Sequence, residues 1–168
     1  MILAIDPGNI ESAYVLLDDD LKPIHLEKTD NNRLLEMIYV TDFKDKKVEY
    51  AAIEMVACYG MAVGKEVFDT CVWIGRFTEA IKKHGQVIPK YIYRKDEKMN
   101  LCGTMKAKDG NIIQALIDRF APGEQNKGKG IKKLPGWFYG FKKDIWQAYA
   151  VGVTYHDLYI KKEDYKWA

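Results

Sequence analysis

Two short apolar runs in this chain each carry one carboxylate close to their end. Ile2 to Asp6 reads ILAID and is followed at once by Pro7 and Gly8, and Tyr50 to Met55 reads YAAIEM, with Glu54 near its end. Runs of this length and composition predict buried strands of a sheet. Asp-Pro-Gly is also a common turn sequence, and Glu54 could lie on an edge strand that faces water. The pattern leaves two interpretations, a turn or a site of chemistry.

The order of the predicted elements is β-β-β-α-β-α-β-α-α, which indicates an α/β fold with a five-stranded mixed sheet flanked by helices. The length of 168 residues fits one domain over residues 1–168. Asn31 and Asn32 are the residues expected to cap the first helix. Besides the two runs above, the predicted strands are Ala13–Leu17, Pro23–Lys28 and Val87–Tyr93. The later predicted helices are Val63–Lys83, Lys108–Phe120 and Asp144–Tyr159.

Three acids are expected to converge in such a fold. If the strands that carry Asp6 and Glu54 are parallel neighbours, both acids lie at the carboxyl edge of the sheet, where sites of α/β proteins form. Asp144 begins the last predicted helix and can point to the same place, although alone it would be an ordinary helix cap. Clustered carboxylates need a counter-charge, and hard oxygen ligands select Mg²⁺, with Mn²⁺ as a substitute. This combination favours metal-dependent phosphodiester hydrolysis.

Composition excludes several other classes of protein. Three cysteines without CxxC spacing argue against a disulfide framework and a zinc site, and favour a reducing compartment, expected to be the cytoplasm. No apolar stretch approaches the roughly 20 residues that cross a bilayer, so no membrane partner is expected. A net charge of +2 is too small to prove a nucleic-acid partner on its own.

Four segments carry a more specific signal when they occur in one chain and in this order. They are ILAIDPG at 2–8, AAIEMVACYGMAVGKEVFDTCVWIGRF at 51–77, GTMKAKDGNIIQALIDRF at 103–120 and KKDIWQAYAVGVTYHDLY at 142–159. Together they resemble the RuvC-type Holliday-junction resolvases of the RNase H-like fold, in particular the phage and prophage branch. The resemblance implies a metal-dependent endonuclease that cleaves Holliday junctions and other branched DNA in the cytoplasm of a bacterial host cell.

The resemblance assigns three acids of the family to Asp6, Glu54 and Asp144, which the residues alone had already selected. It also implies catalytic-region lysines at Lys108 and, less closely, at Lys98. The family's fourth acid falls on Gln147, whose amide oxygen is a weaker metal ligand than a carboxylate. Gln147 is either a feature of the phage branch or an inactivating change, and it leaves open whether one or two metal ions bind. Asp109 is the nearer candidate for a substitute acid, because Asp157 lies too far along the last helix.

Basic residues expected to bind DNA concentrate after the third segment, in the Gly-spaced stretch 123–143. Lysines there would contact phosphate, while most of the aromatic residues that follow are expected to pack in the core. The family inserts a side chain at the junction centre from the loop after the second acid, where Tyr59 and Met61 stand. The further DNA-binding candidates are Arg76, Lys98, Lys106, Lys127, Lys129, Lys132 and Lys133.

The predicted helix Val63–Lys83 has an apolar surface that is wide for a helix covering one sheet face. One stripe is Val67, Cys71, Ile74 and Thr78, and a second is Phe68, Val72, Trp73 and Phe77. A two-fold partner could bury the excess, as in the family's homodimer, or the helix could be covered within one chain.

Three alternative functions can be set against the sequence, and the length of the chain argues against one of them. The chain could be an RNase H-like nuclease that acts on RNA, or a junction-binding protein that does not cleave, which Gln147 makes worth keeping. Actin-like and sugar-kinase ATPases also begin with a strand and D-x-G, but they need two such lobes and more than twice this length.

Overall fold

A five-stranded mixed sheet forms the centre of the computed structural model, which describes residues 1–40 and 47–162. The strand order is β3-β2-β1-β4-β5, with β1, β2 and β3 antiparallel and β4 and β5 parallel to β1. The predicted sheet is therefore confirmed. The strands are β1 Ile2–Asp6, β2 Glu11–Leu17, β3 Pro23–Asp30, β4 Tyr50–Met55 and β5 Lys90–Tyr93.

Within the described residues, five α-helices accompany the sheet, and one of them was not predicted. They are α1 Asn31–Tyr39, α2 Lys65–Ala80, α3 Arg94–Cys102, α4 Asp109–Phe120 and α5 Asp144–Tyr155. Single π-helical turns extend α2 over Ile81–Gly85 and α5 over His156–Ile160. Between α4 and α5 lies a small hairpin of β6 Gly130–Ile131 and β7 Leu134–Pro135. No helix among the described residues is long and apolar enough to cross a membrane.

Alternation along the strands creates a core on each face of the sheet. Leu3, Ile5 and Ile53 point to one face, where they pack with buried side chains of α1 and α2. Ala4 and Ala52 point to the other face, where α4 and α5 pack. Because successive strand side chains alternate, Asp6 and Glu54 extend the row of Ala4 and Ala52 and face α5.

The unpredicted helix α3 begins directly after β5. Its sequence, RKDEKMNLC, offers no apolar stripe, and the side chain that it buries completely is that of Glu97. A helix of this kind gives no periodic signal, since periodicity reports apolar burial. The fifth strand is also shorter than predicted and begins after Pro89, which has no N–H to donate to a neighbouring strand.

The cap of α1 differs from the prediction. Asp30, and not Asn31 or Asn32, is the N-cap residue, and its carboxylate accepts a hydrogen bond from the backbone N–H of Asn32 at 2.8 Å. Asn31 is fully buried and holds another part of the chain, as described below.

Candidate active site

Asp6 and Glu54 lie side by side at the carboxyl ends of two central parallel strands. Ile5 of β1 is paired with Ile53 of β4, so the next residue on each strand is an acid on the same face. Glu54 is also paired with Ile92 of β5, which excludes the edge-strand interpretation of that acid. The condition on which the expected convergence of the two acids depended, that their strands are parallel neighbours, is met.

A buried polar clamp holds the turn that follows Asp6. The backbone N–H of Gly8 donates to the Ser12 hydroxyl at 3.1 Å, and that hydroxyl donates to Asn31 Oδ1 at 2.6 Å. Asn31 Nδ2 in turn donates to the Gly8 carbonyl at 2.9 Å. A Cβ on Gly8 would lie 2.3 Å from the Glu11 carbonyl oxygen, so only glycine fits there. These hydrogen bonds hold the turn directly after Asp6 and thereby fix the position of Asp6 at the end of β1.

Asp6 and Glu54 are placed to share a hydrogen bond when one of them is protonated, and both have a raised pKa. Burial is the main cause for Asp6, followed by the charge of Glu54 and that hydrogen bond. Burial also raises the pKa of Glu54, although the hydrogen bond with Asp6 and the Arg94 charge oppose it. Two half-buried carboxyls that interact in this way favour sharing a proton unless a cation is supplied.

Asp144 forms an ion pair with a lysine that the sequence did not suggest. Lys28 Nζ lies 2.6 Å from Asp144 Oδ2 and 3.8 Å from Glu11 Oε2. The hydrogen bond with Asp144 raises the pKa of Lys28. Because Lys28 lies on β3 and Asp144 begins α5, this pair joins two elements far apart in the chain.

Arg94 connects the first turns of three helices at the side of the acids. Its guanidinium donates to Glu97 on α3, to Asp109 at the start of α4 and to the amide oxygen of Gln147 on α5. Asp109, the proposed substitute for the family's fourth acid, is thus bound to Arg94. Asp157, which was expected to lie away from the site, pairs instead with Arg119 at 2.6 Å.

Glu97 is a buried acid that sequence reasoning missed. It is 0% exposed, and its Oε1 atom has no hydrogen-bond partner among the described residues. Burial, and next the charge of Glu54, raises the pKa of Glu97 to about 9. An available signal was its place in the first turn of the segment after the third parallel strand, since sites form at these strand ends.

The donor atoms suit a hard divalent cation, whereas their present arrangement does not yet form a site for one. Carboxylate oxygens of Asp6, Glu54 and Asp144 are the ligand type that Mg²⁺ and Mn²⁺ prefer, and the unpartnered Oε1 of Glu97 is a further donor nearby. Over residues 1–40 and 47–162, no three His, Cys, Asp or Glu side chains are placed so that they could hold a metal ion. Side chains must therefore move before three carboxylates share one ion.

The remaining predicted residues lie around this centre, mostly on the surface. Lys108 immediately precedes α4 and is exposed, as is Lys106, while Lys98 on α3 is half-buried. Tyr59 and Met61 are 61% and 71% exposed on the loop after β4. Tyr59, Glu54 and Arg94 line one pocket of about 240 Å³, so this loop borders the acids.

Two other groups of predicted DNA-binding residues differ in their surroundings. Arg76 on α2 stacks on Trp73 with its guanidinium carbon 4.2 Å from the ring centre, as expected if it merely covers a helix face. In the stretch before α5, Phe138 and Phe141 are buried and Trp137 packs against the same core, whereas Tyr139 is exposed, so three of the four aromatic residues there pack in the core. The lysines of that stretch are exposed at Lys127, Lys132 and Lys133 and half-buried at Lys129.

No protein-family model matches the chain, and no curated protein matches it in sequence. Among solved structures, it is similar to Thermus thermophilus RuvC in complex with a Holliday junction substrate, with a TM-score of 0.69, 13% identity, and coverage of 96% of this chain and 94% of that one. The chain is also similar to the yeast mitochondrial Holliday junction resolvase, with a TM-score of 0.58 and 13% identity, over 98% of this chain and 80% of that one. A third similar structure is the Fowlpox virus resolvase in complex with Holliday junction DNA, with a TM-score of 0.54 and 16% identity, over 94% of this chain and 99% of that one.

The similarity spans almost the whole chain and includes a bacterial, a mitochondrial and a viral protein. Sequence identities of 13% to 16% support a conclusion about the fold alone. The structural neighbours of this chain are RuvC and other Holliday junction resolvases, and the chain has their RNase H-like fold.

Proposed function

We propose that this chain is a metal-dependent, structure-selective endonuclease that cleaves phosphodiester bonds in Holliday junctions and other branched DNA. One observation carries the proposal. Asp6 and Glu54 meet on adjacent parallel strands, and the start of α5 brings Asp144 to the same edge, in a fold whose solved examples include resolvases bound to junction DNA. A metal-dependent nuclease needs such a cluster of oxygen ligands, and a turn or an ordinary helix cap does not.

Asp6, Glu54 and Asp144 would hold the ion, Mg²⁺ or Mn²⁺. When bound, the cation would act as a Lewis acid toward the phosphate and would help to deprotonate the attacking water. The charge of Asp6 and Glu54, which burial now opposes, would be the counter-charge that retains it. Lys28 is placed to neutralise Asp144 until then.

Exposed side chains supply a surface for DNA around the acids. Lys127, Lys132 and Lys133 would contact phosphates, which gives affinity without sequence preference. Tyr59 and Met61 would reach the junction centre from the loop that borders Glu54. Lys108 would stabilise negative charge on the phosphate, since it directly precedes Asp109 at the edge of the site.

A junction has two-fold symmetry, and two related cuts require two active sites. We therefore include a homodimer in the proposal, supported by the exposed apolar side chains of Phe68 and Val72 on α2. The phage branch and the cytoplasm of a bacterial host stay predictions that the sequence resemblance carries.

The decisive experiment compares a synthetic four-way junction, a flap and a linear duplex with Mg²⁺. We expect symmetric nicks in the junction that yield ligatable duplexes, weaker cutting of the flap and little cutting of the duplex. Equal cleavage of all three substrates would remove the structure selectivity. An RNA–DNA hybrid is added as a fourth substrate, and cleavage of that hybrid alone would favour a nuclease acting on RNA.

A second candidate is a junction-binding protein that does not cleave. The contact between Gln147 and Arg94 favours it, because an amide and a cation stand where the resemblance expects an acid. Tight junction binding without cutting by the natural chain, together with cutting by Gln147→Asp, would support this candidate over the first.

A further inference from the structure

Arg94 has an environment that proteins usually give to a cation with several oxygen ligands. Its guanidinium donates hydrogen bonds to one carboxylate oxygen of Glu97, to one carboxylate oxygen of Asp109 and to the amide oxygen of Gln147. Its side chain is 23% exposed, while that of Glu97 is 0% exposed. Three helices that are separate in the chain thus direct oxygen atoms at one guanidinium.

The orientation of Gln147 depends on this cation. A guanidinium only donates hydrogen bonds, so the amide must present its oxygen and not its NH₂ group. An acid at this position would add another negative charge to a crowded site. The charged groups already there are Asp6, Glu54, Glu97, Asp109 and Asp144 against Arg94 and Lys28.

We propose that the Arg94 guanidinium takes the place of a second divalent cation, so that this chain binds a single ion. The inference rests on the proposed metal-dependent function and assigns its ligands. Asp6, Glu54 and Asp144 remain for the ion, while Arg94 occupies the oxygens of Glu97, Asp109 and Gln147 that a second ion would need.

Displacement of Arg94 by a second ion is disfavoured by what it would leave behind. Glu97 has no other hydrogen-bond partner in the described chain, and its second oxygen is already unpaired. Without Arg94, neither oxygen of the buried Glu97 carboxyl would have a hydrogen-bond partner among the described residues, and an unsatisfied buried polar group is costly. Arginine also keeps its charge at any pH at which the protein is folded.

Direct titration with Mn²⁺ measures the number of ions bound per chain and needs no cleavage assay. Free Mn²⁺ is followed by electron paramagnetic resonance at neutral pH for the natural chain, for Arg94→Lys and for Arg94→Gln combined with Gln147→Asp. We expect one equivalent for the natural chain, one for Arg94→Lys, which keeps the charge, and two for the double variant. Arg76→Gln, which changes an exposed arginine on α2, is the matched control and should also bind one.

Two results would overturn the inference. Two equivalents on the natural chain would show that Arg94 does not occupy a metal position, and a double variant that stays at one would show that Arg94 does not limit the count. Should the double variant fail to fold, the count on the natural chain still decides. Failure of the proposed function looks different, because the natural chain would then bind no ion or would not cleave junctions.

Discussion

At the scale of single residues, the site is a balance between several clustered acids, of which Glu97 is fully buried, and two cations supplied by the chain. Lys28 pairs with Asp144, and Arg94 pairs with Glu97. Asp6 and Glu54 are left to share a hydrogen bond, and burial raises the pKa of both. The place where charge is least compensated is therefore the pair at the strand ends, which is where an added cation would gain most.

Asp6→Asn should abolish junction cleavage and preserve junction binding. The amide is a poorer ligand than the carboxylate and carries no charge, so we expect a fall in the cleavage rate of about 100-fold or more. Binding should persist because the lysines that contact phosphate are unchanged. Cleavage of a labelled junction and a gel-shift assay measure the two effects.

Asp118→Asn provides the control for that substitution. Asp118 is exposed on α4, where it accepts a hydrogen bond from Gln114, and it lies outside the site. Its variant should cut at the natural rate. Retained cutting by Asp6→Asn would exclude Asp6 from the active site.

Glu97 should make the protein less stable as the pH rises in the absence of metal. The pKa of this group is about 9 in the folded chain against an ordinary value of 4.5, so the folded state binds its proton more tightly. Stability from that proton is complete below about pH 4.5 and is lost as the pH rises toward 9. Glu97→Gln keeps the shape without the proton, so its thermal midpoint in EDTA should fall less between pH 5 and 9.

If the thermal midpoints of the natural chain and of Glu97→Gln fell equally between pH 5 and 9, the result would contradict a protonated Glu97. Asp6 and Glu54 shift stability in the same direction, since their pKa values are also raised. The comparison therefore concerns the difference between the natural chain and Glu97→Gln, and not the slope of either one.

At the scale of elements, apolar periodicity predicted the parts of the fold whose burial is apolar. The five strands, α4 and α5 follow from it, and so does the convergence of Asp6 and Glu54. Helix α3 was missed because it buries an acid and not an apolar stripe. Lys28 and Arg94 were missed for a related reason, since an isolated cation on a strand or at a helix start gives no pattern until the three-dimensional partners are known.

The packing of α5 against the sheet should depend on Gly152. A Cβ at this position would lie 2.7 Å from Leu17 Cδ1 and 3.1 Å from Ala4 Cβ, so the helix would have to move away from β1 and β2. We expect Gly152→Ala to lower the free energy of unfolding by about 1–3 kcal/mol, the usual range for overpacking. Urea denaturation followed by circular dichroism measures the change.

Gly110→Ala is the matched control, since it adds the same methyl group to a helix. Nothing lies within 4 Å of a Cβ at Gly110, which is in the first turn of α4. Alanine there should leave stability unchanged or raise it by up to about 1 kcal/mol. A similar loss in both variants would mean that helix context, and not contact with the sheet, sets the effect.

At the scale of the whole molecule, charge and apolar exposure lie on different surfaces. The exposed lysines of the stretch before α5 form the basic surface, and its aromatic side chains fix that stretch to the core through the buried Phe138 and Phe141. The exposed apolar side chains of α2 form the other. The proposed DNA-binding surface and the proposed protein-binding surface would therefore be separable by mutation.

Lys132→Ala combined with Lys133→Ala should weaken junction binding and reduce its salt dependence. Each lost phosphate contact removes about 0.9 from the slope of log affinity against log salt concentration. We expect a shallower slope by up to about 1.8 if both lysines contact phosphate, measured by fluorescence anisotropy at several salt concentrations. Lys82→Ala combined with Lys83→Ala, at the end of α2, should leave the slope unchanged, and an unchanged slope in both variants would contradict a basic DNA-binding stretch.

The proposed dimer should depend on the apolar surface of α2. Phe68 and Val72 are each 61% exposed, and Cys71 between them is also exposed. Ile74 and Phe77 are among the residues that α2 buries. The predicted stripe through Val67, Cys71, Ile74 and Thr78 is thus only partly covered within the chain. Exposed apolar area of this kind on one helix is typical of an interface.

Phe68→Asp combined with Val72→Asp should convert a dimer into a monomer without unfolding it. Both side chains project from the chain, so charges there cost little in the monomer but would be desolvated across a two-fold interface. Sedimentation velocity measures the mass, and circular dichroism measures the fold. Ile24→Asp, which charges an exposed position on the edge strand β3, should stay dimeric. A natural chain that sediments as a monomer at micromolar concentration would contradict this interface, and symmetric paired nicking would then have to arise on the DNA itself.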